Sequence, residues 1–390
     1  MSGRPRLAIL SPLAPHPALS GGAAHIRGAV LHLAERYEVS LYLITDRPEA
    51  VTWGPLAGRC AELRAFERGP IGGSRLDPPA ARLERSAQLE AHLRRAWEQT
   101  PPDIAQIEFT TMAHHAPLAR EAGALAVCTA HNVAFLAQLR RARRERSLPL
   151  RARRLLGALS LWRYELRALR RCNLVVCHSP ADAAALRRWL PGLPAVYVPS
   201  GIDVAEPAPR GSGPVLFVGG YLHPPNVEGA LWLTREVWPL VRRADPGARL
   251  VLAGRDPPPE LRALAGGDVE VPGTLNDLAP LYARASIVAA PVFWGGGVRV
   301  KILDALAAGL PVVATSAAAE GIPLTHDASA LLADGPADFA RAIVRLLRDP
   351  ELRARIGAAG NAVARETYDW VRVARLLAGL YEGTRASIEC

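Results

Sequence analysis

The amino-acid sequence predicts an α/β protein of two doubly wound domains, each a parallel sheet covered by helices on both faces. Three observations carry this. Short apolar runs that end in polar or small residues alternate with helical patterns. The alternation pauses once, at "PSGIDVAEPAPRGSGP" (199–214), and then restarts. A chain of 390 residues with 49% hydrophobic content is also long enough for two ordinary cores.

In the first half, "RLAILSPL" (6–13), "YEVSLYLIT" (37–45), "DIAQIEF" (103–109), "ALAVCTA" (124–130), "NLVVCHS" (173–179) and "AVYVPSG" (195–201) read as strands. "AAHIRGAVLHLAERY" and "PADAAALRRWL" carry helical periodicity. The stretch rich in Pro, Gly and Ser reads as a linker. Beyond it, "VLFVGG", "RLVLAG", "VEVPG", "SIVAAPV" and "PVVATS" are the strands of the second domain. A cleft between two such domains, at the carboxyl ends of both sets of strands, is the expected ligand site.

The start, "MSGRPRLAILSPLAPHP", has its apolar run cut by prolines and reads as a first strand and loop, not a signal peptide. No uncharged stretch reaches a spanning length, so a cytoplasmic location is expected. Five cysteines with no C-x-x-C pair argue against a disulfide framework and against a zinc site; they are expected to be buried thiols. The net charge is +10, and all but one of the basic residues are Arg. Residues 140–171 hold twelve Arg and two Glu, a surplus equal to the whole net charge.

The densest motif is "FWGGGVRVKILDALAAGLPVVATS" (293–316), with three consecutive glycines and the only lysine of the chain. It reads as a strand end, a glycine loop, a helix over about 298–308 and the next strand. Ile302, Leu303 and Leu306 fall on one face of that helix, Lys301, Asp304 and Ala308 on the other. Gly309 suits the left-handed position past the helix end, and Pro311 blocks continuation. Glycines such as Gly296 and Gly297 let the backbone approach a ligand, and the helix start behind them favours an anion. Arg299 and Lys301 would add charge-assisted hydrogen bonds. Asp304, one turn on, suits vicinal hydroxyls such as a ribose. Together these describe a nucleoside diphosphate at a helix end. The sequence has neither G-x-x-x-x-G-K-[ST] nor G-x-G-x-x-G, so no P-loop and no dinucleotide fingerprint is indicated.

This stretch resembles the bacterial, family 4-like, retaining nucleotide-sugar glycosyltransferases of the GT-B fold, whose two Rossmann-like domains face across a cleft. The resemblance runs along most of the chain. "SGGAAHIRGAVLHLAERYEVSLYLIT" is similar to the family's N-terminal glycine loop and helix, "CTAHNVAF" to its strand-end His-Asn, and "VPSGID" to its entry into the linker. "FVGGYLHPPNVEGALWLTREVWPLV" and "PVFWGGGVRVKILDALAAGLPVVATSAAAEGI" resemble its second domain, and "YDWVRVARLLAGLY" its terminal helix that returns to the first. The expected organisation is an acceptor domain over 1–198 with the returning helix 368–390, a linker over 199–213, and a nucleotide-sugar donor domain over 214–367. Two departures stand out. Where many relatives carry the first of two acidic residues, this chain has Gly296; Asp304 matches the second. Where many relatives place Arg and Lys after the first strand of the second domain, "FVGGYLHPPN" offers only His223. Lys301 and Arg299 are the expected replacements, Arg299 only if it precedes the regular helix.

The resemblance implies sugar transfer with retention of configuration, in cell-surface polysaccharide or glycoconjugate synthesis, with no cofactor and no obligatory metal. The lack of an Asp-x-Asp motif agrees. It also implies that His131 contacts the donor sugar. Glu108, ending another strand, either binds sugar or acceptor or is a solvated strand-end carboxylate. Gly21 and Gly22 either bring helix amides to phosphates or form a turn. His114 and His115 read as surface or packing residues. The expected partners are a nucleotide-sugar donor, a glycan or lipid-linked acceptor, and an anionic membrane surface met by 139–171, making the protein peripheral at the inner face of the membrane; no nucleic acid is expected. Pro149 should split that segment into two helices, with Leu155, Leu159, Trp162, Leu166 and Leu169 of the second facing the core. A GT-B sugar-nucleotide epimerase and a catalytically silent sugar-nucleotide-binding protein are the alternative readings.

Overall fold

The computed structural model describes residues 3–18, 20–69, 73–74, 76–206, 212–275, 277–295 and 299–389. The chain divides into two compact units, Met1–Gly201 with Trp370–Cys390, and Ile202–Asp369. The stretch read as a linker is therefore shared between them, and its residues 207–211 lie outside the described residues.

The first unit holds β1 (Arg6–Ser11), β2 (Glu38–Thr45), β3 (Glu62–Glu67), β4 (Ile104–Glu108), β5 (Leu125–Ala130), β6 (Leu174–Cys177) and β7 (Ala195–Tyr197). They form one parallel sheet in the order β3-β2-β1-β4-β5-β6-β7. Parallel strands buried on both faces need apolar residues at every position. Accordingly Ala8 and Leu10 pack into the core on one face, Leu7 and Ile9 into the core on the other. β3 was not anticipated from sequence: as an edge strand it keeps its side chains only half covered, and "ELRAFE" carries three charges. The strand order reverses between β1 and β4, so the loops leaving those two strands part there and open a crevice.

The last helix, Trp370–Glu389, belongs to this unit. Trp370, Val373, Ala374, Leu377, Ala378 and Tyr381 are buried, the i, i+3, i+4 spacing of a helix laid on a core. It packs against the helix Gly21–Leu33, where Gly28 leaves room for the indole of Trp370. Pro149 sits in the first turn of the helix Leu148–Leu169, which follows the helix Ala134–Arg144. One expectation is corrected here. Leu166 and Leu169 are buried and Trp162 partly so, but Leu155 and Leu159 do not face the core: they are 43% and 52% exposed.

The second unit holds β8 (Val215–Val218), β9 (Leu250–Ala253), β10 (Val269–Glu270), β11 (Ile287–Ala290), β12 (Val312–Ala314) and β13 (Leu331–Leu332). All pairs are parallel, in the order β10-β9-β8-β11-β12-β13, with the reversal between β8 and β11. β13 is two residues long, too short for any periodicity to announce it. Leu216 and Val288 point into the core that also takes Ile302, Leu303 and Leu306, whereas Val215 and Ile287 pack into the opposite one with Phe339 and Ile343. Those three residues come from the helix Val300–Ala307, shorter than the expected span. Gly309 closes it at φ 69°. Of the cysteines, Cys128, Cys172 and Cys177 are buried free thiols and Cys60 is half-buried; Cys390 lies outside the described residues.

Gly28→Ala separates two opposing effects. Alanine is better than glycine inside a helix by about 1 kcal/mol, but its methyl carbon would stand 2.0 Å from the Trp370 Nε1 atom. Overpacking of this kind costs about 1–3 kcal/mol. The variant should therefore be less stable than the parent in urea denaturation, and a stabilised variant would mean that Trp370 moves aside freely.

Candidate active site

The first unit gathers a polar cluster just past its strand ends. Ser20 caps the Gly21–Leu33 helix by accepting from the Ala23 amide at 3.2 Å, so Gly21 and Gly22 are its first residues. A side chain at Gly22 would meet the Phe109 ring at 2.9 Å and Leu13 at 3.1 Å. Phe109 follows β4 and holds φ 68°, a left-handed conformation uncommon for an aromatic residue. That backbone turn lays its ring on the His131 imidazole, centroids 4.0 Å apart and planes 12° from parallel.

His131 stands immediately past β5. Its Nε2 is 2.7 Å from Oε2 of Glu108, the last residue of β4. Glu108 is fully buried, not solvated. A carboxylate that is ionised only accepts, and against such a partner Nε2 of the ring is the donor. The second carboxylate oxygen accepts from the Gln106 amide, whose own oxygen accepts from the Tyr381 hydroxyl at 2.7 Å. A chain of three hydrogen bonds thus runs from the C-terminal helix to His131. Gln106 and Glu108 lie two apart on one strand and so share a face.

Two further imidazoles flank His131: His25, on the buried face of the first helix, at 5.1 Å, and His178, just past β6, at 5.4 Å. His25 Nδ1 is 3.0 Å from Ser200 Oγ, and His178 Nδ1 donates to the Val198 carbonyl at 2.9 Å. Burial, then the neighbouring imidazoles, pushes the pKa of His25 well below the usual histidine range. Burial and His131 push His178 down to about 3. Both rings are therefore neutral at pH 7. Sequence reasoning passed over Gln106, Tyr381, His25 and His178. For Gln106 a signal existed, since a polar residue at i−2 from Glu108 inside an apolar strand needs a partner; for His25 the only signal was its place on an apolar helix face.

His114 and His115 lie on the turn after β4, and His115 is buried. Each offers a nitrogen within 4.8 Å of the other and of a Glu90 oxygen, a proximity that their sequence separation hides. Arg85 lies close enough to depress both imidazoles, after burial, and its charge opposes a cation at this place.

In the second unit the reversal point between β8 and β11 holds the other group. Lys301 Nζ donates to Asn226 Oδ1 at 2.7 Å and lies 4.5 Å over the Phe217 ring. Asn226 in turn donates to the Gly220 carbonyl at 2.9 Å, which ties the lysine to the loop after β8. Asn226 was also not singled out in the sequence. Burial, then the charge of Arg299, pushes the Lys301 ammonium down to about 7. Arg299 is the N-cap residue, so it does precede the regular helix. Its guanidinium lies beside Gly295, where an added Cβ would come 3.3 Å from Nη2. Asp304 is half-buried one turn on, and its charge, after burial, holds the Tyr282 hydroxyl in its protonated form. Gly296 and Gly297 lie outside the described residues. His223 is exposed as the N-cap of the helix Pro224–Trp232. The structure thus brings Glu108 to His131 near Gly22, and Arg299 to Lys301 with Asp304 on the same helix.

Two parallel sheets of this order, each with polar groups at its reversal point, define the GT-B class. Whole-chain likeness agrees: a sucrose-phosphate synthase from Thermosynechococcus elongatus superposes with a TM-score of 0.73 at 18% identity, over 98% of this chain and 100% of that one. Anabaena HepE, solved with UDP and glucose, gives 0.68 at 17% identity, over 97% and 100%. Within that class, residues 19–206 match the family model for Glycosyltransferase Family 4, and 213–349 match that for Glycosyl transferases group 1. The chain belongs to the family 4-like glycosyltransferases. Among curated relatives, the phosphatidyl-myo-inositol mannosyltransferase of Mycobacterium leprae is 33% identical over 52% of this chain and 58% of its own length. That of Mycolicibacterium smegmatis is 33% identical over 50% and 54%. The chain thus spans somewhat more than half the length of the curated relatives it matches.

Tyr381→Phe keeps the buried ring and removes one hydroxyl, leaving the Gln106 oxygen without that donor. An unsatisfied buried acceptor costs about 1–3 kcal/mol. Urea denaturation should show a loss in that range, and a change within about 0.5 kcal/mol would mean that the chain from Tyr381 to Glu108 bears no weight.

Proposed function

We propose that this protein transfers a sugar from a nucleoside diphosphate sugar to a glycan or lipid-linked acceptor with retention of anomeric configuration. The reading places it in the synthesis of bacterial surface polysaccharide or glycoconjugate, on the cytoplasmic side and peripheral to the membrane. The observation that carries it is the pair Arg299 and Lys301 at the start of the Val300–Ala307 helix, with Lys301 held by the neutral oxygen of Asn226. A cation bonded to a neutral amide oxygen, beside a second cation, gains charge-assisted hydrogen bonds when an anion arrives. The diphosphate is the anion expected in this family. Asp304, one turn along, would accept from the ribose hydroxyls. In the other unit His131, fixed by Glu108, would bond the transferring sugar. Names of the relatives support a lipid-linked acceptor, since both mannosyltransferases are named for a phosphatidyl-inositol.

In the reaction the bond from the anomeric carbon to the diphosphate oxygen breaks and a bond to the acceptor oxygen forms on the same face. The acceptor proton passes to the departing phosphate oxygen. Orientation of the hydroxyl and stabilisation of the leaving diphosphate do most of the work, and no obligatory metal or cofactor takes part.

The test is release of nucleoside diphosphate from a panel of nucleotide sugars, with and without lipid-linked acceptors, in EDTA. Acceptor-dependent release should persist in the chelator. Interconversion of donor sugars without acceptor would instead identify an epimerase, and binding without release a silent protein. Abolition by EDTA with rescue by Mg²⁺ would overturn the metal-free mechanism.

Lys301→Ala should slow turnover on the order of a hundredfold, about 3 kcal/mol, as for loss of a donor to a developing oxyanion. The pH dependence follows from the lowered pKa. Below about 7 the ammonium is charged before ligand arrives; above it, binding must first recover a proton. Diphosphate affinity of the wild-type protein should fall from pH 7 to pH 9, and Lys301→Ala should lose that slope. Calorimetric titration at several pH values reads both, and a flat wild-type profile would remove Lys301 from the diphosphate site.

A further inference from the structure

The helix Leu148–Leu169 changes environment along its length. From Ala158 onward its inward positions are covered: Ala158, Leu161, Tyr164, Leu166 and Leu169 are buried. On another side of the helix Leu148, Leu155, Leu156 and Leu159 are 75%, 43%, 69% and 52% exposed. With exposed Ala152 they fall at i, i+4, i+7, i+8 and i+11, one side of the helix. Leu76, 75% exposed, extends this ridge, because its carbonyl accepts from Ser160 Oγ at 3.3 Å.

Charge identifies what the ridge meets. The two carboxylates of 140–171 are both engaged inside the protein. Glu165 is buried and accepts from Thr110 and the amides of Ala134 and Phe135. Glu145 pairs with Arg154 at 2.9 Å. Arg143, Arg146, Arg151, Arg153 and Arg163 are exposed around the leucines. A row of leucines edged by arginines, with no outward carboxylate from its own segment, complements a layer that is apolar within and anionic at its surface. A second copy seated on the same ridge would oppose arginine to arginine, which disfavours it. No helix among the described residues is long and apolar enough to cross a membrane, so the contact is one of lying on the layer.

We propose that the exposed leucine ridge of residues 148–159, with Leu76, seats in the interfacial region of an anionic bilayer while the surrounding arginines hold the headgroups. Within the segment 139–171 this puts the apolar contact at the start of the second helix. The contact stands on this surface alone; only its use, to meet a lipid-linked acceptor, rests on the glycosyltransferase reading.

Full-length protein is sedimented with vesicles of phosphatidylglycerol and phosphatidylcholine, and with vesicles of phosphatidylcholine alone. The wild type should pellet with the anionic vesicles and be released by salt. Leu155→Ser with Leu156→Ser and Leu159→Ser should weaken binding at least about tenfold, given the transfer free energy of three leucines. Arg143→Ser with Arg146→Ser and Arg151→Ser should weaken it roughly a hundredfold, at about fivefold per arginine. Because these side chains are exposed, thermal unfolding and nucleoside diphosphate release without vesicles should match the wild type. Wild-type protein that turns over but does not bind vesicles therefore counts against the ridge alone, and wild-type protein that binds vesicles but does not turn over counts against the enzymatic reading alone. Wild-type protein that stays in the supernatant at low salt, a serine triple variant that binds as well as the parent, or a dimer in ultracentrifugation that the triple variant dissolves would each overturn the proposal.

Discussion

Each unit depends on one constraint, a parallel sheet buried on both faces. Where Leu7 and Ile9 fill one core and Ala8 and Leu10 the other, no position along the strand is left for a polar side chain without a partner. Polar groups are therefore driven to the strand ends. Glu108 closes β4, His131 follows β5, His178 follows β6 and Ser200 lies just beyond β7. In the second unit Gly219 and Gly220 follow β8, and Arg299 stands at the end of the loop after β11. The order of strands then selects among these ends, because only at the reversal point do neighbouring loops part.

Buried Glu108 and half-buried Lys301 are accommodated in opposite ways. Glu108, at zero exposure, has a donor on each oxygen, and Tyr381 secures one of those donors in turn. It is a finished arrangement, and its effect is to fix the tautomer and plane of His131, with Phe109 stacked on the ring. Lys301 has an amide oxygen and a ring face, both of which favour its charge, but burial and then the adjacent guanidinium outweigh them and leave its ammonium easily deprotonated. An anion at this place would restore its charge, which is the role proposed for it above.

Legibility in the sequence followed burial. Central strands announced themselves as apolar runs because both faces are covered; β3, half-covered at an edge, and β13, two residues long, did not. Lys301 and Asp304 could be placed on one face from the sequence because one helix carries both and its apolar positions fix its rotation, with Arg299 at its N-cap. Asn226 was not, since it lies 75 positions from the lysine it accepts from. Tyr381 is 275 positions from Gln106, so only the packing of the C-terminal helix reveals that the two are bonded. Apolar spacing gives the face of an element but not what covers it, and this is why Leu155 and Leu159 were assigned to the core.

That last failure has a geometric cause. The Leu148–Leu169 helix has 22 residues, about 33 Å of length. β5, which shares a core with this helix, has six residues, about 20 Å in length. A helix that starts its contact at the carboxyl-terminal end and covers such a strand must overhang by several residues, and the overhang falls at the end where Leu148 to Leu159 stand. Solvent would favour polar residues on an overhang, as it does on the other faces of this helix, where Arg151, Arg153 and Arg163 are exposed. The apolar spacing instead continues unbroken past the edge of the core. Leucines kept in register yet exposed among the described residues, with arginines beside them, are what the bilayer contact proposed above rests on.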